Sequence, residues 1–385
     1  MAILLSAESF ERFFVAELGL SRHEYAMTYR NDWAWDYCHM LRDQGIDVTV
    51  YVATEGSASV EEAPDGRVRF LRLGSAYRPW LHVRSLIRTP IGRFVAGLVS
   101  TATLLKPLEH ALAADQIDVL MIQEYWTSRY DLLAFRLGRS FVAVDQGMPD
   151  RREVKLLKRR TLPRAHAIIT QTRAEADKVH RFGGPAALIA NGVDTSFYVP
   201  GGAGVERAAA TALIVARLND QHKRVSDLLR ALAILPALWR LEVVGIGPDE
   251  DRLRRLASEL GIDDQVAFLG FEPDKARIRE RLQRCTVFVL PSAHEGLPVA
   301  LLEAMACGTP VVGSDIPAIA DVVQQGGGEV VPVGAADRLA AAIQSVAADR
   351  DRLGRAARST VERGYSRDCV AAALTAVLME AAEAL

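Results

Sequence analysis

Residues 287–315 read VFVLPSAHEGLPVALLEAMACGTPVVGSD. The apolar runs VFVL and PVVG are typical of buried strands, and between them a polar turn leads into an Ala-, Leu- and Met-rich stretch of helical character. The segment therefore predicts one strand–loop–helix–strand unit, in which the two strands lie parallel in one sheet. Units of this kind, repeated along a chain, build an α/β fold.

The helix of this unit is predicted to begin with an anion-binding end. Pro298 fits its first turn, where the missing N–H is not needed. The free N–H donors of Val299, Ala300 and Leu301 then point toward the preceding loop. Helix ends of this kind bind phosphate groups. The polar and small residues of that loop are Ser292, His294, Glu295 and Gly296.

Two carboxylates accompany this helix end. Glu295 lies in the loop, and Glu303 lies inside the helix, roughly 7–8 Å along the axis from Pro298 at 1.5 Å per residue. A lone glutamate pair at this spacing is more often structural, since strand–helix units commonly carry a solvated Glu. The whole string, however, resembles the glutamate-pair signature of retaining GT-B glycosyltransferases of family 4, through its segments EGLP, LLEAMA and GTPVV.

This resemblance implies a GT-B fold, an α/β chain with two Rossmann-like domains whose mostly parallel sheets face a central cleft. We expect an acceptor-binding domain over residues 1–202, together with a crossing helix at 368–385, and a donor-binding domain over residues 203–367. The pattern NGVD…F…P at residues 191–200 resembles the interdomain connection of the family. The apolar side chains of the final helix suit docking on the first domain, namely Val370, Leu374, Val377 and Leu378.

Length and composition are consistent with two or three globular domains. The 385 residues are 50% hydrophobic and carry a formal net charge of −2, which argues against a general nucleic-acid binder. The four cysteines lack a Cys-x-x-Cys spacing, so we expect neither a zinc site nor a disulfide framework. The first residues, MAILLSAESFERFF, have no basic region and a short apolar run, unlike a signal peptide. We expect a cytoplasmic protein that can work at the inner face of a membrane.

The segment after the first predicted strand, residues 7–30, contains no G-x-G-x-x-G turn. That absence counts against a nicotinamide or flavin dehydrogenase, another common use of repeated βα units. In the family that the chain resembles, this loop faces the acceptor through glycines. We expect their replacements here to lie on the acceptor side, the alternative being that Trp33 and Trp35 belong to the core and its rim. These replacements are Arg30, Asn31, Asp32 and Trp33.

The predicted strand that ends at Gln123 resembles the family strand whose end carries a histidine in contact with the donor sugar. Gln123 and Glu124 stand at that place in this chain. A glutamine donates and accepts hydrogen bonds but does not carry a proton at neutral pH. The resemblance therefore leaves open whether Gln123 replaces the histidine in function, and we place both residues on the acceptor side.

Two basic segments with interleaved apolar residues lie in the first half of the chain. They are residues 78–93, RPWLHVRSLIRTPIGR, and residues 151–164, RREVKLLKRRTLPR. Such segments can lie on anionic lipid, and a solvated helix face is the alternative. Both are candidates for peripheral membrane contact.

A strand predicted over residues 212–216 is followed by a polar loop with Arg217 and Lys223. Cations at the carboxyl end of a parallel strand face the crevice where ligands bind in open sheets, although the spacing alone also fits two solvated surface cations. The segment VARLNDQHK resembles the family loop whose Arg and Lys hold the donor diphosphate. The family has glycine at the positions of Ala216 and Arg224, which puts the shape of this loop in question.

Magnitudes indicate which groups matter most for a leaving diphosphate. A helix end contributes about 0.3–1 kcal/mol, whereas a hydrogen bond to a charged group contributes about 1.5–3 kcal/mol. Arg217 and Lys223 should therefore outweigh the helix that follows Pro298.

Further members of the expected donor site come from two later loops and from the opening motif. The glycines of GIGPD permit close backbone approach to a ligand, and the loop FEPD resembles the base-binding loop of the family. The expected donor-binding residues are Gly245, Gly247, Phe271, His294, Gly296, Leu297, Val299, Ala300 and Glu303.

The resemblance implies transfer of a sugar from a nucleoside diphosphate sugar, of UDP or GDP type, to an acceptor hydroxyl with retention of configuration. The acceptor would be a cell-envelope glycan or lipid, or a small natural product. Arg217, Lys223 and Glu295 are the expected catalytic residues, and neither a cofactor nor a metal is expected. Glu303 would bind the ribose. The alternatives are a GT-B sugar-nucleotide epimerase, which lacks the close EGLP match, and a non-catalytic nucleotide-sugar binding protein.

Overall fold

The computed structural model describes residues 1–5, 9–16, 18–29, 33–77, 90–138, 140–145, 155–202, 204, 208 and 210–384. Its strands are β1 Ala2–Leu4, β2 Thr49–Thr54, β3 Ser59–Ala63, β4 Gly66–Arg72, β5 Leu120–Gln123, β6 Phe141–Val144, β7 Ala167–Thr170, β8 Ala186–Leu188, β9 Thr211–Val215, β10 Arg240–Val244, β11 Val266–Gly270, β12 Val287–Leu290, β13 Val311–Ser314 and β14 Gly328–Val331.

The α-helices alternate with these strands along most of the chain. They are α1 Arg22–Met27, α2 Trp33–Arg42, α3 Pro90–Ala114, α4 Ser128–Arg136, α5 Lys155–Thr161, α6 Arg173–Arg181, α7 Asp220–Lys223, α8 Val225–Ile234, α9 Glu250–Glu259, α10 Lys275–Arg284, α11 Val299–Ala306, α12 Pro317–Val323, α13 Ala336–Ala348, α14 Arg350–Gly364 and α15 Arg367–Glu383.

The first sheet has the strand order β3-β4-β2-β1-β5-β6-β7-β8. Neighbouring strands are parallel, except that β3 and β4 form an antiparallel hairpin at the edge. We did not predict this hairpin from the sequence, although the turn Pro64-Asp65-Gly66 between two alternating segments is a hairpin signal. The order of the strands reverses between β1 and β5, which is where an open α/β sheet presents its ligand site.

The second sheet has the order β11-β10-β9-β12-β13-β14, with all neighbours parallel. Its central strands are buried on both faces, and side chains of β12 alternate between two cores. Val287 and Val289 contribute to one core, and Phe288 and Leu290 contribute to the other. A strand that is covered on both faces by helices needs an unbroken apolar run, which explains VFVL.

The chain divides into two compact units, residues 1–189 with 371–385, and residues 190–370. Residues 190–202 therefore belong to the second unit, whereas we expected them in the first. The physical reason is that this segment is bonded to the second unit: the Arg358 guanidinium donates to the carbonyls of Thr195 (2.9 Å) and Tyr198 (2.6 Å), and Gln283 donates to Val199 (2.7 Å).

The final helix α15 begins in the second unit and belongs to the first from residue 371 onward. Its buried side chains recur at helical spacing, which matches the apolar stripe seen in the sequence. They are Val370, Ala371, Leu374, Leu378 and Ala381, while Val377 is half-buried.

An aromatic cluster organises the segment that follows β1. The Phe10 ring lies 5.0 Å from that of Phe70, and Phe14 lies 4.5 Å from Tyr25, between ring centroids. Trp35 packs against Tyr25 and is buried, so the alternative that Trp35 is a core residue is correct.

Among the described residues, no helix combines the length and the apolar character that crossing a membrane requires.

Candidate functional site

The candidate site lies at the carboxyl ends of β9 and β12, which are neighbours in the middle of the second sheet. Their register pairs Ala212 with Val287 and Leu213 with Phe288. The strand order reverses here, because β10 and β11 extend to one side and β13 and β14 to the other. Loops 216–224 and 291–298 therefore start from adjacent strands, at the place where open α/β sheets bind their ligands.

Lys223 and Glu295 are in direct contact across these two loops. Lys223 Nζ donates to Glu295 Oε1 at 2.7 Å and to Oε2 at 2.8 Å. The side chains are 24% and 8% exposed, respectively, so the pair is only partly shielded from water. The cation and the carboxylate that the sequence singled out separately thus form one charged unit.

A backbone hydrogen bond also joins the two loops. The N–H of Ala293 donates to the carbonyl of His222 at 2.7 Å. The imidazole rings of His222 and His294 lie 5.4 Å apart, and His294 is exposed at the surface of the site. The structure therefore places His294 beside the 220–223 helix as well as beside the motif.

The turn at Arg224 keeps the shape that a glycine would favour. Arg224 has φ 52° and ψ 37°, in the left-handed region, which costs a non-glycine residue about 1–2 kcal/mol. Its guanidinium is held by Asp227, through Nε–Oδ2 at 2.8 Å and Nη2–Oδ1 at 3.1 Å. The loss of the family glycine at this position therefore leaves the turn intact.

Asp220 anchors the short helix that carries Lys223. Its buried carboxylate accepts from the Ser226 N–H at 2.7 Å and from Arg252 Nη2 at 2.6 Å. Burial by itself would raise the pKa of Asp220, but these hydrogen bonds hold the pKa below its usual value. The carboxylate therefore stays ionised and fixes α7 to the neighbouring elements.

Arg217 stands apart from the Lys223–Glu295 pair. The side chain is exposed, and the residues that the structure describes offer its guanidinium no hydrogen bond or ion pair. An arginine in this state is available to an anionic ligand, to which it can donate two parallel hydrogen bonds.

The motif helix α11 starts at Val299, with Pro298 as the residue immediately before it. We expected Pro298 inside the first turn, and this expectation is wrong by one position. The expectation for Leu301 is also wrong, because its N–H donates to the Pro298 carbonyl at 3.2 Å. Val299 and Ala300 are the first two residues of the helix, and their N–H groups are placed to donate hydrogen bonds to an anion. The Leu297 carbonyl just before them accepts from the Asn191 amide at 3.1 Å.

Glu303 is half-buried in the middle of α11. Burial raises the pKa of Tyr198, and the neighbouring Glu303 carboxylate raises it further. The pKa of the Cys307 thiol, one turn further along the helix, is raised in the same way by burial and then by Glu303. Glu303 therefore lies near two groups that stay protonated.

Gly245 and Gly247 also have a structural role, which the sequence did not indicate. A Cβ on Gly245 would lie 1.9 Å from the Ala216 carbonyl oxygen, and one on Gly247 would lie 2.4 Å from that of Leu218. The close approach is therefore to the backbone of loop 216–224, and the two glycines let this loop lie against the end of β10. Phe271 is 58% exposed after the edge strand β11, two strands away from β9.

Two of the residues that we expected on the acceptor side lie at the reversal point of the first sheet. Gln123 ends β5, and Glu124 follows it with φ 60°, while both are half-buried. Arg30, Asn31 and Asp32 lie outside the described residues. Trp33 begins α2, and its side chain also lies outside them.

The basic segment 151–164 turns one of its cations inward. Lys158 is 1% exposed and pairs with Asp131 at 2.8 Å, which corrects the interpretation of the whole segment as a surface patch. Leu156, Arg159 and Arg160 are exposed. Residues 151–154 of this segment, and residues 78–89 of the other basic segment, lie outside the described ranges.

Sequence reasoning missed three contributions to the site. It gave no role to the Ser292 hydroxyl, which donates to Glu295 Oε1 at 2.6 Å, nor to Asn191 or Tyr198. A serine three residues before a loop carboxylate is a local signal that could have identified the first. The other two come from a segment far away in the chain, so no local pattern indicates them.

Two family models match the chain in succession. The model described as Glycosyltransferase Family 4 matches residues 33–197, and the model described as Glycosyl transferases group 1 matches residues 205–363. The second match contains both loops of the candidate site.

Curated relatives align with part of the chain. The lipopolysaccharide 1,6-galactosyltransferase of Salmonella typhimurium is 35% identical over 132 residues, which are 33% of this chain and 37% of that protein. The phosphatidyl-myo-inositol mannosyltransferase of Mycolicibacterium smegmatis is 35% identical over 199 residues, 50% of each chain. The alignments thus span about a third to a half of these relatives.

Solved structures match the fold over almost the whole chain. A sucrose-phosphate synthase from Thermosynechococcus elongatus superposes with a TM-score of 0.73 at 20% identity, and covers 98% of both chains. The Anabaena protein Alr3699/HepE, in complex with UDP and glucose, superposes with a TM-score of 0.67 at 16% identity, again over 98% of both. The two units with parallel sheets and the likeness to these solved structures agree with a GT-B fold. Because the two family models also match in succession, the chain belongs to the GT-B glycosyltransferases, of the family 4 and group 1 type.

Proposed function

We propose that the protein transfers a sugar from a nucleoside diphosphate sugar to an acceptor hydroxyl, with retention of the anomeric configuration. The observation that carries this proposal is the 2.7 Å contact between Lys223 and Glu295 at the reversal point of the second sheet. It brings a cation suited to a diphosphate beside a carboxylate suited to sugar hydroxyls. The UDP in the Anabaena complex supports a uridine diphosphate donor, with guanosine diphosphate as the alternative carrier.

The chemical step needs stabilisation of charge more than a nucleophile. As the bond between the anomeric carbon and the phosphate oxygen breaks, the diphosphate gains negative charge and the sugar becomes oxocarbenium-like. Lys223 and Arg217 would stabilise the diphosphate, and the N–H groups of Val299 and Ala300 would add to this. The acceptor oxygen bonds to the same face of the sugar, and its proton passes to the leaving phosphate oxygen. Glu295 therefore orients the donor sugar and need not act as an acid or a base.

The two cations also underlie a proposal that the transfer is independent of divalent metal. A diphosphate that contacts Arg217 and Lys223 has its charge compensated by the protein itself. The test is turnover in EDTA. Activity that EDTA abolishes and magnesium or manganese restores would contradict this part of the proposal.

The acceptor is proposed to be a cell-envelope glycan or lipid, with a small natural product as the alternative. The support comes from the names of the relatives, a lipopolysaccharide galactosyltransferase and a phosphatidyl-myo-inositol mannosyltransferase. In this proposal Gln123 and Glu124, at the reversal point of the first sheet, face the acceptor.

An acceptor of this kind is compatible with peripheral contact at an anionic membrane. The exposed face of α5 combines an apolar side chain, Leu156, with the cations Arg159 and Arg160, a combination that suits a lipid surface. Cosedimentation with anionic but not zwitterionic vesicles would support this contact. Equal recovery with both kinds of vesicle, or with neither, would contradict it.

The test of the main proposal is incubation of the purified chain with a panel of UDP- and GDP-sugars, with and without candidate acceptors. A transferase yields nucleoside diphosphate and a glycosylated acceptor whose linkage retains the donor configuration. An epimerase releases an altered sugar without any acceptor, and a binding protein leaves the donor unchanged. Inversion of configuration in the product would contradict the proposed mechanism.

Two variants assign roles within this reaction. Glu303→Ala should weaken donor binding, because the ribose hydroxyls lose their carboxylate. Lys223→Ala should mainly slow transfer, by roughly tenfold to a hundredfold for the loss of a charge-assisted hydrogen bond. Glu259→Ala, which changes an exposed glutamate on α9, is the matched control. Unchanged kinetics in both site variants would defeat the assignment.

A further inference from the structure

Ser292 occupies the point where β12 passes into the motif loop. Its side chain is fully buried, and its Oγ donates to Glu295 Oε1 at 2.6 Å. The Ser292 carbonyl in turn accepts a hydrogen bond from the Ser314 hydroxyl, which stands at the end of the neighbouring strand β13. With the adjacent bond from Ala293 to the His222 carbonyl, the position of the serine is fixed from two sides.

The two carboxylate oxygens of Glu295 accept unequal numbers of hydrogen bonds. An ionised carboxylate offers about four acceptor sites, two on each oxygen. Oε1 accepts from both Lys223 and Ser292, whereas Oε2 accepts from Lys223 alone among the residues that the structure describes. One acceptor site on Oε2 is therefore left for a ligand.

We infer that Ser292 is a positioning residue that reserves Oε2 of Glu295 for a hydroxyl of the donor sugar. The inference rests on the proposed function, in which Glu295 contacts that sugar. Lys223 by itself does not define the orientation of the carboxylate, because an ammonium on a flexible chain follows either oxygen and the last torsion of a glutamate is broad. The Ser292 hydroxyl, whose oxygen is buried and fixed in position, supplies the missing restraint.

The inference predicts a loss that is specific to the sugar. Ser292→Ala should weaken the binding of a UDP-sugar by about tenfold, the value of one charge-assisted hydrogen bond, and should leave the binding of UDP unchanged. Titration calorimetry of the full chain with UDP, and with the UDP-sugar that the wild-type protein binds most tightly, measures both. Ser292→Cys keeps the size of the side chain with a weaker donor, and it should show the same effect in smaller degree.

Thr286→Val is the matched control. Thr286 lies next to the opposite end of β12, where its buried hydroxyl accepts from the Thr211 N–H and donates to the Ala208 carbonyl, each at 3.0 Å. Its loss removes a buried hydroxyl from the same unit without a bond to Glu295. It should lower the melting temperature and leave the ratio of UDP-sugar to UDP affinity as in the wild-type protein.

A double-mutant cycle tests whether Ser292 acts through Glu295. In a Glu295→Ala background, Ser292→Ala should cause no further loss of UDP-sugar affinity, because the group that it positions is gone. Additive losses would overturn the inference, and so would an equal loss of UDP and UDP-sugar affinity in Ser292→Ala or Ser292→Cys. A wild-type chain that binds neither UDP- nor GDP-type nucleotides would overturn the proposed function, and the inference with it.

Discussion

Replacing Lys158 with methionine tests a buried ion pair that holds the end of β5 in place. Lys158 Nζ donates to the carbonyls of Tyr125 (2.7 Å) and Thr127 (3.0 Å) and to Asp131 Oδ1 (2.8 Å). The lysine and the aspartate side chains are 1% and 3% exposed. The three ammonium donors thus meet three acceptors, in the loop that follows Gln123.

The expected loss of folding stability depends on the buried charge that each substitution leaves without a partner. Removing one partner of a buried ion pair costs about 3–5 kcal/mol, because the other charge stays buried without compensation. Lys158→Met should therefore destabilise the first unit by about that amount. The double variant Lys158→Met/Asp131→Leu should cost much less, since no charge is then buried. Thr161, which donates to Asp131, retains the Leu157 carbonyl at 3.1 Å as an acceptor.

Thermal unfolding of the full chain, followed by calorimetry, measures both variants. For a unit of this size each kcal/mol lowers the melting temperature by about 2–4 °C, so Lys158→Met should lower one transition by roughly 10 °C. Lys106→Met, an exposed lysine on α3, should leave it unchanged. A shift of less than about 2 °C in Lys158→Met, or a double variant as unstable as the single one, would refute the reasoning.

Two further variants probe packing and pH dependence. Gly245→Ala should destabilise the second unit by more than about 2 kcal/mol, since its Cβ would lie 1.9 Å from the Ala216 carbonyl oxygen and the backbone has φ +133°. Urea unfolding measures this loss. The control Gly364→Ala should show no such loss, because its Cβ has open space. Burial by itself raises the pKa of Asp115, but the hydrogen bonds from Arg69 outweigh it and hold this pKa below its usual value. The stabilisation by Asp115 is therefore present above about pH 4 and is lost as the pH falls through the lower folded-state pKa, so Asp115→Asn should flatten the decline in unfolding free energy over that range.

Much of the second unit could be predicted from local patterns. The strands β12 and β13 are buried on both faces; VFVL is continuously apolar, and VVGS is apolar up to its final serine, so both are recognisable without their neighbours. Resemblance to a known family identified Lys223 and Glu295 as site residues, whereas their direct contact across two adjacent strands came from the structure.

What local patterns could not show are the contacts made across the chain. The sequence RREVKLLKRRTLPR has the same composition whether Lys158 faces water or the core, and its direction is decided by Asp131, 27 residues earlier. The assignment of residues 190–202 to the second unit depends likewise on Arg358, 160 residues from Tyr198. Both outcomes follow from burial and hydrogen bonding in the folded state, which no window of sequence contains.

The departures from the family pattern in loop 216–224 are compensated close to where they occur. Arg224 replaces a glycine yet keeps the left-handed backbone, and the cost of about 1–2 kcal/mol is offset at least in part by its paired contacts with the buried carboxylate of Asp227. Asp220 and Arg252 fix the other side of the same turn. Since side chains hold this turn, where the family has a glycine, the direction of the Lys223 side chain depends on these ion pairs. The same reasoning extends to Glu295, whose direction depends on Ser292, so the charged pair at the centre of the site is oriented from both of its loops.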